Sequence, residues 1–201
     1  PVIHPATRVG VIFGGRSSER EVSLASGRQV VYNLDRAIYD GVPIFMDHAG
    51  ALWRIPEKLV LQNTCADIEA RLAADAERLS LEALPEAIDV AFIALHGKYG
   101  DDGCIQGALE LVGVPYTGSG VLGCALSLDK PMAHAVLAEA GFGVPREAVV
   151  TAREWAAEPE AVEARLAADI GQPLVVLPAR EGSSIGVSVV RDVEDVGPAL
   201  D

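Results

Sequence analysis

The stretch from Arg8 to Leu34 constrains this chain more than any other. Arg8 to Phe13 (RVGVIF) is a β-branched run that stops at Gly14-Gly15, and Ser23 to Leu34 (SLASGRQVVYNL) follows with helical spacing. Strand, glycine turn and helix then recur. Asp40 to Asp47 (DGVPIFMD) reads as a second strand, and His48-Ala49-Gly50 turns into a hairpin partner, Ala51 to Ile55. Ile68 to Leu84, rich in Ala, Leu, Glu and Arg, predicts a helix ended by Pro85. Asp89 to Leu95 (DVAFIAL) is a buried strand, His96 to Asp102 a loop, and Gly103 to Leu111 a helix leading to Val114-Pro115-Tyr116-Thr117-Gly118. The alternation predicts an α/β fold, a parallel sheet with helices on both faces.

After Ser119 the pattern changes. Val121 to Leu128 and Lys130 to Ala140 are helical with a break at Asp129, which with Pro131 makes a capped start, so a domain boundary is placed near residue 128. Beyond it come a short strand at Ala148 to Thr151, a helix from Glu158 to Ala168, strand Pro173 to Pro178, loop Arg180 to Gly186 and strand Val187 to Arg191. Asp192 to Asp201 stops where another helix is starting, so the last domain reads as incomplete. Domains are therefore expected at residues 1–128 and 129–201.

Charge and cysteine usage exclude several functions. The 201 residues carry 16 Lys+Arg against 29 Asp+Glu, a formal net charge of -13, which repels nucleic acid and anionic membranes. Cys65, Cys104 and Cys124 are odd in number and lack C-x-x-C spacing, so the reading places the chain in a reducing cytoplasm. The start, Pro1-Val2-Ile3-His4, is neither basic nor followed by an apolar signal core, and no run approaches the ~18 apolar residues of a membrane span.

Three loops carry candidate chemistry. Gly14-Gly15 between strand and helix lets a backbone approach a ligand, although it is also ordinary α/β turn chemistry and does not fit G-x-G-x-x-G. Glu19 and Glu21 at the helix start either complement the helix dipole or receive an ammonium group. His96-Gly97-Lys98-Tyr99-Gly100-Asp101-Asp102-Gly103 crowds a His and two acids at the carboxyl end of a buried strand, the edge where open α/β sheets bind ligands; a loop histidine capped by backbone is the alternative. Arg180-Glu181-Gly182-Ser183-Ser184-Ile185-Gly186 is either a plain hairpin or a nest of N–H groups for phosphates.

Together these segments resemble the D-alanine–D-alanine ligase family of the ATP-grasp superfamily. The resemblance lies in Gly14-Gly15-Arg16-Ser17-Ser18-Glu19-Arg20-Glu21-Val22-Ser23-Leu24, His96-Gly97 with Gly100-Asp101-Asp102-Gly103, Gln106-Gly107 with Leu109-Glu110, Pro115 to Gly120, Asp129-Lys130 and Pro178 to Gly186. It implies a Rossmann-like N-terminal (pre-ATP-grasp) domain followed by an incomplete α+β ATP-grasp domain. It also implies an ATP-dependent ligase that phosphorylates the carboxylate of one D-alanine and lets the amine of a second attack the acyl phosphate, for peptidoglycan. By resemblance Glu19 holds the first D-alanine's ammonium, Val22 contacts its methyl group and Ser183 orients Glu19. His96 lies near the reacting carboxyl group, Lys130, Arg180 and Ser184 serve ATP, and residues 181–186 cover its phosphates. A charge-assisted bond of this kind contributes roughly 1.5 to 3 kcal/mol. The resemblance further implies a homodimer.

Three departures qualify that reading. Leu177, in Leu174-Val175-Val176-Leu177-Pro178, stands where most relatives carry a lysine reaching ATP; from pattern alone it completes an apolar core strand. Asp101 stands where Glu is usual. Relatives continue for a further hundred or more residues that supply the Mg²⁺ ligands, so those are expected downstream and this chain by itself is expected to be inactive. The alternatives are a noncatalytic ligase-like binding or dimerisation module and an unrelated nucleotide-binding α/β protein.

Overall fold

β1 (Thr7–Gly14) is the centre of the first sheet, and its burial on both faces explains why it reads as a nearly unbroken apolar run. The computed structural model describes residues 6–200, so the Pro1 to His4 start lies outside the described residues. α1 (Arg20–Asn33) follows the glycine turn and begins three residues before the expected Ser23. β2 (Tyr39–Met46) pairs with β1 in parallel over eight residues, Thr7 opposite Tyr39 through Gly14 opposite Met46. β3 (Leu52–Arg54) returns as the antiparallel hairpin partner of β2.

The expected helix over Ile68 to Leu84 is replaced by short pieces. α2 (Glu57–Val60) precedes α3 (Cys65–Glu69) and α4 (Leu72–Asp75), and the chain then extends as β4 (Glu77–Leu79). Thr64 and Asp67 form a capping box that starts α3. Leu79 lies opposite Leu52 and is buried in the core, so pairing with the open edge of β3 overrides the helical propensity of the segment. Pro85 does not end a helix; it occupies the first turn of α5 (Leu84–Ala87), where its missing N–H costs nothing.

β5 (Val90–Ile93) pairs in parallel with the other side of β1, giving the order β4-β3-β2-β1-β5. The sheet is therefore parallel at its centre and antiparallel at the β3–β4 edge. Ala91 also bridges to Tyr116, through Ala91 N–H to Pro115 O (2.8 Å) and Thr117 N–H to Ala91 O (3.0 Å). Side chains alternate across β1: Val9, Val11 and Phe13 pack on one face with α1 and α3, while Ile12 packs on the other with Ile105 and Leu109 of α6 (Cys104–Leu111). Phe13 and Phe45 are fully buried at an edge-on angle of 67°, each worth about 1.5–3 kcal/mol of burial.

α7 (Val121–Leu128) contains the division between two compact units, one up to Ala125 and one from Leu126. In the second unit α8 (Lys130–Glu139) starts on Asp129, whose carboxylate accepts from Met132 N–H at 3.2 Å. The strand expected at Ala148 to Thr151 is not formed. Ala148 and Val150 pack into the core of this unit, and Thr151 instead caps α9 (Ala152–Ala157) in a capping box with Glu154. α10 (Pro159–Asp169) supplies Val162 and Leu166 to the same core. β6 (Leu174–Val176) and β7 (Ser188–Val190) form an antiparallel pair, and α11 (Val196–Leu200) closes the described chain. Among the described residues no single helix is long and apolar enough to cross a membrane.

Candidate functional site

The carboxyl ends of β1 and β5 lie side by side, and buried hydroxyls bind them to α1. Gly14 and Gly15 have φ of 91° and 98°; a Cβ on Gly14 would lie 2.6 Å from the Met46 carbonyl, so the turn accepts only glycine there. Ser23 Oγ, fully buried, accepts from Gly14 N–H at 2.9 Å and donates to Ala94 O at 2.7 Å. Ser17 Oγ donates to His96 O at 2.7 Å and accepts from Glu19 N–H at 3.2 Å. The glycine turn and the loop after β5 are thus fixed to one another.

Glu19 sits in that junction and is 9% exposed. A Cβ on Gly97 would fall 2.4 Å from Glu19 Oε2, so the carboxylate occupies the space where any other residue's side chain would begin. His96 Nε2 lies 2.8 Å from Ser26 Oγ, which holds the ring against α1. Glu19, Val22, Ser23 and Ser26 follow the i, i+3, i+4, i+7 spacing of one helix face. Val22 is 55% exposed. Glu21 does something else: both its oxygens accept from Cys65 N–H at 3.1 Å, anchoring the start of α3. Burial, with the Glu21 charge beside it, pushes the Cys65 thiol up to about 12. Arg20 pairs with Glu69 at 2.6 Å. Of the two acids that could receive an ammonium, only Glu19 stands at the strand ends.

The acids of the His96 to Gly103 loop are used inside it. Asp101 accepts from Gly97 N–H at 2.7 Å, and Asp102 accepts from Tyr99 N–H at 2.8 Å and Cys104 N–H at 3.0 Å. Gln106, buried on α6, donates to Gly100 O at 2.8 Å. These bonds hold Gly97 and Tyr99 at φ of 67° and 69°.

In the second unit Lys130 and the Gly/Ser loop form one structure. Lys130 Nζ donates to Pro178 O at 3.1 Å and Glu181 O at 2.5 Å, and Lys130 N–H donates to Ala179 O at 3.0 Å. Ser183 and Ser184 both adopt the left-handed region, φ 49° and 58°. Arg180 pairs with Asp129 at 2.7 Å, which holds that carboxyl below the usual carboxylate range. Lys130 and Leu177 line one cleft of about 580 Å³, together with the His134–Glu147 pair. Leu177 is not a core residue: it follows the end of β6 and is 41% exposed. Among the described residues no three His, Cys, Asp or Glu side chains group as metal ligands.

Ser17 and Gln106 lie within the family motifs but without a role that the sequence shows, and Ser26 lies outside them. The helix-face spacing from Glu19 to Ser26 was a signal that could have found Ser26.

Residues 8–119 match the family model described as D-ala D-ala ligase N-terminus, and residues 136–201 match D-ala D-ala ligase C-terminus. The chain belongs to the D-alanine–D-alanine ligase family. It is 39% identical to the D-alanine–D-alanine ligase of Chlorobium chlorochromatii, over 96% of this chain and 58% of that protein. It is 41% identical to that of Geobacter sulfurreducens, over 97% of this chain and 50% of that protein. Its structure is similar to the VanG D-Ala:D-Ser ligase of Enterococcus faecalis, with a TM-score of 0.80 and 30% identity over 98% of this chain and 59% of that one. The chain spans about half to three-fifths of the length of these family members.

Proposed function

We propose that this chain supplies the D-alanine-recognising and phosphate-covering parts of an ATP-dependent ligase that joins two D-alanines through an acyl phosphate for peptidoglycan. The observation that carries it is the Glu19 carboxylate, buried against Gly97 where β1 and β5 end. A buried carboxylate gains most from a cationic partner, and an α-ammonium provides one. By resemblance Val22, one helical turn on and exposed, meets the methyl group, and Ser183 works with Glu19. The resemblance likewise assigns His96 to the carboxyl group that is phosphorylated, and its bonds to Ser17 and Ser26 support that role by fixing it beside Glu19.

ATP supplies the phosphoryl group. Its β,γ-phosphates meet Lys130, Arg180 and the backbone around Ser183 and Ser184, two successive residues in the left-handed region. Phosphoryl transfer to the D-alanine carboxylate releases ADP; attack by the second amine forms the amide and releases phosphate. Leu177 contributes no charge to this cleft, so Leu177→Lys tightens ATP binding if the cation is what is missing. The proposal extends to a cytoplasmic location, in keeping with three free thiols, and to a homodimer, for which Leu111 and Leu122, 89% and 79% exposed, are available.

Calorimetric titration of D-alanine, with ADP release measured in parallel, tests the central assignment. Glu19→Gln is expected to weaken D-alanine binding about ten- to a hundredfold, while Glu21→Gln, which alters only the α3 anchor, leaves it unchanged. Equal effects of the two substitutions would overturn it.

A further inference from the structure

A separate cavity of about 510 Å³ lies wholly within the first unit, between the β3–β4 edge of the sheet and α6. Its floor is apolar, made by buried Met46, Leu52, Leu79 and Ile105. Arg16 and Arg78 also line it, with Ser80 and Tyr99, and no Asp or Glu does. That lining is unusual in a chain with 29 acids and 16 basic residues. Arg8, Arg20, Arg36, Arg71, Arg165 and Arg180 all pair with carboxylates. Among the described residues Arg16 and Arg78 have no ion pair, as is also true of Arg28, Arg54, Arg146, Arg153 and Arg191.

Arg16 is nevertheless held in place. Its guanidinium lies over the Tyr99 ring, 4.6 Å from the centroid, and its stem runs along Gly50, where a Cβ would come within 3.1 Å of Arg16 Cδ. A fork fixed by stacking loses little freedom when it binds a planar anion. Asp102, beside Tyr99 and Cys104, is committed to two backbone N–H groups, and desolvation with that carboxylate raises the Cys104 thiol above its usual range.

We propose that this cavity binds a small organic anion, its carboxylate or phosphate head held by Arg16 and Arg78 and its apolar body seated on Met46, Leu52, Leu79 and Ile105. The site is distinct from the Glu19 junction, which has the opposite charge. Arg16 precedes Glu19 and Tyr99 follows His96 by three residues each, so an occupant touching both would stiffen the two loops that meet at Glu19. Only this coupling rests on the function proposed above; binding itself does not.

Calorimetric titration of the 201-residue chain with hexanoate, hexyl phosphate, inorganic phosphate and hexan-1-ol tests it. One or both hexyl anions are expected to bind saturably, with phosphate and hexan-1-ol at least about tenfold weaker, and whichever hexyl anion binds more tightly identifies the head. Arg16→Gln and Arg78→Gln should each weaken the bound anion about tenfold, and Glu21→Gln should not. Arg78 makes no ion pair among the described residues, so its substitution keeps the test valid if Arg16→Gln disturbs the Tyr99 loop. No saturable binding of either hexyl anion overturns the proposal. So does binding that survives both arginine substitutions, or that is lost equally in Glu21→Gln.

Discussion

At Gly97 one hydrogen atom decides whether the site forms. Gly97→Ala adds a carbon 2.4 Å from Glu19 Oε2 at a backbone φ of 67°. The strained backbone costs about 1–3 kcal/mol, and the displaced carboxylate can no longer keep its place. A lowered urea midpoint together with D-alanine binding reduced beyond detection is the expected result; unchanged binding would show that Glu19 tolerates the shift. The sequence marks His96-Gly97 as a loop at a strand end, and the family motif marks Glu19. It does not show that the glycine is there for the glutamate, because that contact joins segments far apart in the chain. Glu21 makes the same point in reverse: two residues away in sequence and identical in chemistry, it differs from Glu19 only in what the fold brings to it, the N–H of Cys65.

Helix packing separates two glycines that look alike in sequence. Gly27 of α1 lies against β1, where a Cβ would meet Phe13 Cγ at 2.4 Å and Phe13 Cβ at 2.5 Å. Phe13 is fully buried and has nowhere to move, so overpacking of about 1–3 kcal/mol outweighs the ~1 kcal/mol gained in helix propensity by Gly27→Ala. Gly107 of α6 meets only Val121 Cγ2, at 3.8 Å, and Gly107→Ala should stabilise by about 0.5–1 kcal/mol. Chemical denaturation of the two variants should move their midpoints in opposite directions. Elements with strong periodicity or a glycine turn, β1, α1, β2, α6 and α8, are legible in the sequence. The pieces from Cys65 to Ala87 are not, because Ala, Leu, Glu and Arg favour a helix until the unpaired edge of β3 draws Glu77–Leu79 into the sheet. Residues 148–151 show the other failure: a β-branched run that packs against a core without a strand beside it.

Across the whole molecule, acidity and stability are connected through exposed and half-buried carboxylates. Arg8 holds Asp89 below the usual carboxylate range, Lys58 and Arg71 do so for Asp75, and Arg180 for Asp129. A group lowered on folding contributes stability that is present above its unfolded value near ~4 and is lost as pH falls through its folded value. Urea midpoints are expected to be level from neutral pH to about 5 and to fall below about 4, with salt reducing the difference. Asp89→Asn should flatten part of that fall; a midpoint that keeps rising on acidification would contradict it. The charge of -13 could be counted from the sequence, but the pairing could not, since Arg8 lies in β1 and Asp89 immediately before its parallel neighbour β5.

That parallel pairing also sets the order of events in folding. The bonds that build the Glu19 junction, Ser17 to His96, Ser23 to Ala94 and Ser26 to His96, span 79, 71 and 70 residues. None can form until β5 has docked on β1. Closing that long loop and joining the two loops at Glu19 are therefore a single event, and the candidate site exists only where the β1–β5 pairing does.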